Sequence, residues 1–314
     1  MAGTDIIGDI HGNLAALQRL LASLGYDGSD AYRHPQARSL VFLGDLVDRG
    51  PASLEVAELV LDLTRRGRAV CVMGNHEYNL VRWRRGEGPP KQSNGPTIAD
   101  VEARPDRWAP VLTWMASLPL SVRLPFARVL HAVWHPACAD ALRGPLGAWP
   151  GEEPVELLSP FAPRGRLPLE ALTDGVDLPH EILIKGYERR VATPFLDNDG
   201  KLRDAIRVTW WADEMWAQPR TVFGHYWNIP PVAGEHEALA PPFASGHPDL
   251  RNWHTRLAGL VPDEGRYPVG RERRICVDYN GVTLVSERAC VGAYRWPENE
   301  VAWACAPKSS ASVR

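Results

Sequence analysis

Three places in this chain gather side chains that could do chemistry, and each sits where a short apolar run stops. Asp5-Ile6-Ile7 leads into Gly8-Asp9-Ile10-His11-Gly12-Asn13, and Leu40-Val41-Phe42-Leu43 leads into Gly44-Asp45-Leu46-Val47-Asp48-Arg49-Gly50-Pro51. Ala69-Val70-Cys71-Val72-Met73 leads into Gly74-Asn75-His76-Glu77. Carboxylate, imidazole and amide donors of this kind hold divalent metals, and the glycine before each group lets the backbone turn sharply. A lone Asp-x-His is more simply a turn, or an N-cap, with Asp9 or Asn13 serving the helix that follows. Three such groups in order, each behind an apolar run and each containing glycine, point instead to a metal site.

The elements that must position them follow from periodicity. Leu14, Leu17, Leu20, Leu21 and Leu24 fall at helical spacing, with Asn13 at the N-cap position and Gly25 as the stop. A second helix runs from Ser53 to Thr64, after Pro51 has ended the preceding ladder. The resulting β-α-β-α-β order favours parallel strands joined by right-handed crossovers, and sites on such sheets lie beyond the carboxyl ends of the strands.

With 314 residues, 45% of them hydrophobic, the chain can bury one full core, and residues 1–306 are read as one domain. A net charge of −3 supplies no basic field for a nucleic-acid duplex, and no apolar run is long enough to span a bilayer. The start of the chain has no basic segment followed by an apolar stretch, so a cytoplasmic protein is expected. The five cysteines, Cys71, Cys138, Cys276, Cys290 and Cys305, form no Cys-x-x-Cys pair and suggest neither a disulfide scaffold nor a thiolate zinc site.

Beyond Glu77, Tyr78 to Arg85 is expected to continue as helix, and Arg82, Arg84 and Arg85 form a basic cluster, either a solvated face or a contact for an anionic part of a substrate. Pro110 to Leu118 is read as a short helix. Residues 136–179, rich in Pro and Gly, are expected to be a loop or cap, and residues 307–314 to fray. Glu181 to Arg190 has strand character, and Asp197-Asn198-Asp199-Gly200 is a hairpin-type turn rather than a calcium loop, since the later ligand positions are missing. Ala205 to Trp211 reads as a strand, Arg274 to Val282 as a hairpin, and 292–296 with 301–304 as final strands. His131 closes the run Val129-Leu130, and His225 closes Thr221-Val222-Phe223-Gly224. A histidine in such a run is, by itself, more often a satisfied core residue than a ligand.

Gly8-Asp9-x-His11-Gly12, Gly44-Asp45-x-x-Asp48-Arg49-Gly50 and Gly74-Asn75-His76-Glu77 resemble the three signature blocks of the calcineurin-like metallophosphoesterases. The middle block is similar to that of the phosphoprotein phosphatase branch, which includes bacterial serine/threonine phosphatases and diadenosine tetraphosphate hydrolases. The resemblance implies an α/β fold, a two-sheet αββα sandwich with long loop insertions. It implies two divalent ions, Mn²⁺ first and Fe, Zn or Ni as alternatives, with Asp45 bridging, Asp9 and His11 completing one ion, and Asn75, His131 and His225 the other. His76 would then protonate the leaving oxygen, Asp48 would orient it, and Arg49 would grip the phosphoryl oxygens. A second phosphate-binding arginine is expected at Arg189 or Arg190. The implied reaction is hydrolysis of a phosphomonoester, including a phosphoprotein, by a metal-bridging hydroxide, the substrate being small molecule, nucleotide or phosphoprotein. The runner-up is a dinucleoside polyphosphate hydrolase, and a non-catalytic binding module on the same scaffold is the reading from another class.

Overall fold

The computed structural model describes residues 3–141, 143–148, 154–158, 179–186, 188–196, 202–207, 210, 220–228, 264–269, 273–280 and 288–307. In chain order the first half runs β1 (Thr4–Ile7), α1 (Leu14–Leu24), β2 (Ser39–Phe42), α2 (Ser53–Arg65), β3 (Ala69–Cys71), α3 (Asn75–Arg84), α4 (Gly95–Ala103), α5 (Pro105–Met115), β4 (Ser121–Arg123) and β5 (Arg128–Leu130). The second half continues with α6 (Pro136–Ala141), β6 (Arg143–Ala148), β7 (Pro154–Leu158), α7 (Pro179–Lys185), β8 (Glu188–Leu196), β9 (Leu202–Arg207), β10 (Thr221–Phe223), β11 (Glu264–Pro268), β12 (Arg274–Cys276), β13 (Cys290–Trp296) and β14 (Glu300–Cys305).

Among the described residues two main sheets form, with orders β11-β14-β13-β1-β2-β3 and β12-β10-β5-β4. β1, β2 and β3 are parallel, as the β-α-β-α-β pattern requires, and β13 pairs antiparallel with β1. Alternation along each strand divides the core. Ile7, Leu40, Phe42 and Cys71 join the helices α1 and α2 in one cluster, whereas Ile6 and Val41 meet Val122, Val129, Val222 and Ile275 of the second sheet in another. This is the expected two-sheet sandwich with helices on its outer face.

Several local expectations are corrected. Asn13 occupies the N-cap position, yet its side chain caps no helical N–H; Nδ2 donates instead to the carbonyls of Ile10 and His11. Gly25 does stop the helix, at φ 97°. The segment expected as strand over 181–190 is helix through Lys185, because Pro179 suits a first helical turn, Glu181 pairs with Lys185 one turn on, and Gly186 turns left-handed at φ 94°. Strand begins only at Glu188.

Arg274 to Val282 is no hairpin in its described part, since β12 lies parallel to β10 and 277–280 leave the sheet. Part of the stretch read as a loop over 136–179 carries α6 and the antiparallel pair β6–β7; the remainder lies outside the described residues, as do 308–314 of the tail. The helix expected from Pro110 begins at Pro105 and keeps Pro110 inside it, and α4 was not legible at all. β8 and β9 pair antiparallel, as a hairpin turn between them requires, although the turn itself and Trp211 lie outside the described residues. Cys290 and Cys305 stand opposite each other in the β13–β14 register and form a disulfide, against the expectation of none.

Candidate metal centre

Every expected ligand sits at or just beyond a strand end. β1 delivers Asp9 and His11, β2 Asp45, β3 Asn75 and His76, β5 His131, and β10 His225. The loops that follow are laced to one another. Ile10 and His11 N–H groups both donate to the Asp45 carbonyl, at 3.0 and 2.8 Å, Gly50 N–H donates to His11, and Gly224 N–H to His131. Such close passage needs glycine: a Cβ on Gly44, already at φ 87°, would stand 2.3 Å from the Gly74 nitrogen, and one on Gly224 would stand 2.1 Å from Asp9 Oδ1. His11, Asp45, Asp48, Arg49 and His225 all have φ between 49° and 71°. Left-handed backbone costs a non-glycine residue roughly 1–3 kcal/mol, and its concentration here marks a site held open by the surrounding hydrogen bonds.

Asp45 is the centre. Its Oδ2 lies 3.5 Å from His11 Nε2 and 3.8 Å from His76 Nε2, while Oδ1 lies 3.5 Å from His131 Nε2 and accepts the His76 N–H at 3.0 Å. Two sets of donor atoms therefore share one carboxylate: His11, Asp45 and His76, and Asp45, His131 and His225, each within 4.8 Å of one another. Burial opposes charge on Asp45, but His131, His76, His11 and His225 outweigh it and hold the carboxyl well below the usual range.

The imidazoles are set by what their other nitrogen meets. His11 Nδ1 donates to the Val47 carbonyl at 3.0 Å and His131 Nδ1 to the Leu43 carbonyl at 2.8 Å, which leaves Nε2 of each as the lone-pair nitrogen. His225 reverses the arrangement: Nε2 donates to the Lys185 carbonyl at 2.9 Å, which puts the lone pair of the neutral ring on Nδ1. Burial, Arg49 and His76 push the His11 imidazole well below its usual value, toward the neutral form a metal requires.

The donor set fits divalent cations on two observations. His11 Nε2 is buried without a hydrogen-bond partner. His131 Nε2 faces Asn75 Oδ1 at 3.1 Å and Asp45 Oδ1 at 3.5 Å, so that an imidazole nitrogen, an amide oxygen and a carboxylate oxygen, all of them metal donors, converge. A third strain points the same way. Burial, Asp278 and Asp45 push Asp9 well above its ordinary value, and burial pushes Asp278 up to about 6. Carboxylates crowded in a buried site are what cations relieve.

Asp9 itself takes the His225 N–H on both oxygens, at 3.2 Å each, and shares a hydrogen bond with Asp278. The close donor groups thus contain His76 where the resemblance expects Asp9, although both lie on the same edge. Asp278 supports this edge: it accepts Asn280 N–H at 3.0 Å, and Asn280 Nδ2 donates to the Asp9 carbonyl at 2.9 Å.

Around this centre stand the groups expected to act on substrate. His76 Nδ1 donates to Asp48 Oδ2, and burial is outweighed by Asp45 and Asp48, so the imidazole is raised above its ordinary value and keeps its proton more readily. Arg49 is exposed, 4.6 Å over the ring of Trp227, with its charge felt at Asp9, His11, His76 and Asp278. Arg189 and Arg190 are placed on β8 opposite Ile206 and Ala205; their side chains lie outside the described residues. Arg82 of the basic cluster is partly occupied, facing Glu181 at 4.0 Å and donating to the Glu87 carbonyl.

Sequence reasoning missed four residues that the structure ties to the centre. Glu77 accepts N–H groups from Asp45, Leu46 and Gly74 at 2.8, 2.8 and 3.1 Å. Asn94 and Thr97 both donate to Asp48, and Trp227 backs Arg49. Only Glu77 had a signal, its place in the third motif.

A buried Asp and His cluster at the strand ends of an α/β sandwich, with an Asp-steered histidine and an arginine beside it, is the arrangement that the resemblance of the three motifs implies. Residues 4–128 match the model of the calcineurin-like phosphoesterase family. Over 101 residues it is 43% identical to the bis(5'-nucleosyl)-tetraphosphatase PrpE [asymmetrical] of Halalkalibacterium halodurans, covering 32% of this chain and 41% of that protein. Over 80 residues it is 48% identical to the protein of the same name from Anoxybacillus flavithermus, covering 25% of this chain and 33% of that one. The chain therefore matches less than half the length of these relatives. In structure it is similar to a serine/threonine phosphatase of Saccharomyces cerevisiae, with a TM-score of 0.50 at 13% identity, over 96% of this chain and 78% of the other, a likeness of fold alone. Among the described residues no helix is long and apolar enough to cross a membrane.

Proposed function

We propose that this protein is a metal-dependent hydrolase of phosphoester bonds. The observation that carries the reading is the position of Asp45, between His11 and His76 on one oxygen and His131 on the other. Asp9 and His11 would hold one divalent ion, Asn75, His131 and His225 the other, and Asp45 both. Oxygen and nitrogen donors without thiolate suit Mn²⁺ first, with Fe, Zn or Ni as alternatives. When bound, such ions supply positive charge against the phosphoryl oxygens and make water more acidic.

The chain's own groups do the rest. Arg49 offers a planar fork to two phosphoryl oxygens, which lysine cannot match, and Arg189 or Arg190 is the proposed second grip. His76 holds its proton under the pull of Asp45 and Asp48 and gives it from Nε2 to the departing oxygen. Asp48, fixed on the other ring nitrogen, keeps the imidazole aimed.

Two substrate classes remain in play. Phosphomonoesters, including phosphoproteins, need nothing beyond this centre. Dinucleoside polyphosphates are favoured by the names of the relatives that share its first strands. The deciding experiment is hydrolysis by Mn²⁺-loaded protein of p-nitrophenyl phosphate, a phosphopeptide, diadenosine tetraphosphate and a cyclic nucleotide, with Asp45→Asn as blank. Preference for the dinucleotide selects that class, and preference for monoesters selects the phosphatase. Failure to cleave any of them would turn the reading to a binding module.

A further inference from the structure

We propose that Asn94 and Thr97 are positioning residues that aim the Asp48–His76 pair, and that they thereby set how basic a leaving group this site can expel. The inference rests on the reading of His76 as the proton donor. Asp48 is 1% exposed, and each of its oxygens is taken. Oδ2 receives His76 Nδ1 and Asn94 Nδ2, Oδ1 receives Thr97 Oγ1, and the Asp48 main-chain N–H donates to Ser53 Oγ at 2.9 Å. Asp48 has φ 71°, so its local backbone is not a conformation it would hold unaided.

Neither residue belongs to the motifs that announce the site. Asn94 ends a short turn before α4 and Thr97 lies in the first turn of α4, 46 and 49 residues from Asp48 in sequence. Both are buried, Asn94 to 1% and Thr97 to 3%. The Asn94 side-chain oxygen has no hydrogen-bond partner. Leaving such an oxygen dry costs roughly 1–3 kcal/mol, and turning the amide over would set oxygen against the Asp48 carboxylate, so its two donated bonds, to Asp48 and to the His76 carbonyl, account for its burial.

The support beneath is rigid. Asp100 of α4 accepts from Trp108 Nε1 at 2.9 Å, and Arg104 joins Asp100 to Glu55 of α2. Ser53, which receives the Asp48 N–H, begins α2 and lies 3.4 Å from Thr97 Oγ1. The carboxylate is thus clamped in one orientation by elements that α2 and α5 hold in place. Without the clamp it can swing, and the His76 ring with it. The penalty falls on esters whose leaving oxygen must be protonated as the bond breaks, and spares those whose leaving group departs as a stable anion.

The test uses two aryl esters of nearly the same shape, p-nitrophenyl phosphate and phenyl phosphate, on the full metal-loaded chain. His76→Ala should depress kcat on phenyl phosphate more than on p-nitrophenyl phosphate. Thr97→Val, close in shape but without the hydroxyl, should lower the ratio of kcat on phenyl phosphate to kcat on p-nitrophenyl phosphate about tenfold, a fraction of what general-acid catalysis contributes. Thr97→Ser should restore that ratio, and Asn94→Ser should lower it independently. In a His76→Ala background, Thr97→Val should change nothing further. Equal losses on both esters, or an unchanged ratio in both Thr97→Val and Asn94→Ser, would overturn the inference while leaving His76 as the acid. A His76→Ala variant that treats the two esters alike would overturn it together with the assignment of His76.

Discussion

Replacing Glu77 by Gln tests whether the turn carrying Asp45 is held from below. Glu77 is fully buried, with Oε2 accepting the N–H groups of Asp45 and Gly74 and Oε1 that of Leu46. A glutamine can turn its oxygen to the first two, but its NH₂ then faces the Leu46 N–H. One buried donor loses its partner, at about 1–3 kcal/mol, and the remaining bonds lose their ionic assistance. The hydrogen-bond loss sums to about 2–4 kcal/mol, or about 3–6 °C in melting temperature for a chain of this size, and is set against the relief of the burial and Asp45 repulsion that push the carboxyl up. The assay is urea unfolding of Glu77→Gln and the parent at pH 8, above the value of about 7 to which burial and Asp45 push the Glu77 carboxyl, so that the carboxylate is the reference. Metal content after dialysis is measured on the same samples and should fall, because the Asp45 nitrogen sits in the disturbed turn. An unfolding free energy within about 0.5 kcal/mol of the parent, the range of ordinary surface changes, with full metal content, would refute the reasoning.

Other perturbations reach the same centre from different sides. Gly224→Ala puts a methyl 2.1 Å from Asp9 Oδ1 and should cut turnover about 100-fold, as displacements of this order do, with reduced bound metal by elemental analysis; normal metal content would show that Asp9 can move aside freely. Trp227→Ala removes the ring under Arg49 and should raise KM about 2- to 5-fold with kcat nearly kept, an effect that inorganic phosphate inhibition would report in parallel. Stripping metal by chelation should lower the melting temperature, since Asp9, Asp45 and Asp278 are left facing one another, and adding Mn²⁺ at 100 times its dissociation constant should restore about 2.7 kcal/mol. An Arg189→Ala, Arg190→Ala double variant with unchanged kinetics would remove both residues from the phosphate grip.

That these residues gather at one edge of the sandwich was legible because each follows an apolar run closed by a glycine-containing turn, and a strand end fixes where its next residues go. His11, Asp45, Asn75, His131 and His225 needed no more than that and the resemblance of their motifs. What escaped was whatever depends on packing between distant segments. Asn94 and Thr97 meet Asp48 only because α4 folds beneath the second motif, and no local period reports it. Cys290 and Cys305 are partners by register alone. The run Ile182-Leu183-Ile184 misled because a short apolar stretch suits strand and buried helix alike, and the flanking Pro179 and Gly186 were the better guide.

The placement of β1 bears on how the molecule comes into being. The strand that delivers Asp9 and His11 pairs on one side with β2, some 35 residues on, but on the other with β13, where Thr4 stands opposite Trp296. As the chain leaves the ribosome, β1, β2 and β3 can meet early, yet one flank of β1 stays bare until β13 has followed. Gly8, next to Asp9, likewise waits for the carbonyl of Gly292. Pairings this far apart close slowly, so the nascent chain carries an open strand edge until β13 emerges, and the candidate metal pocket closes only after it.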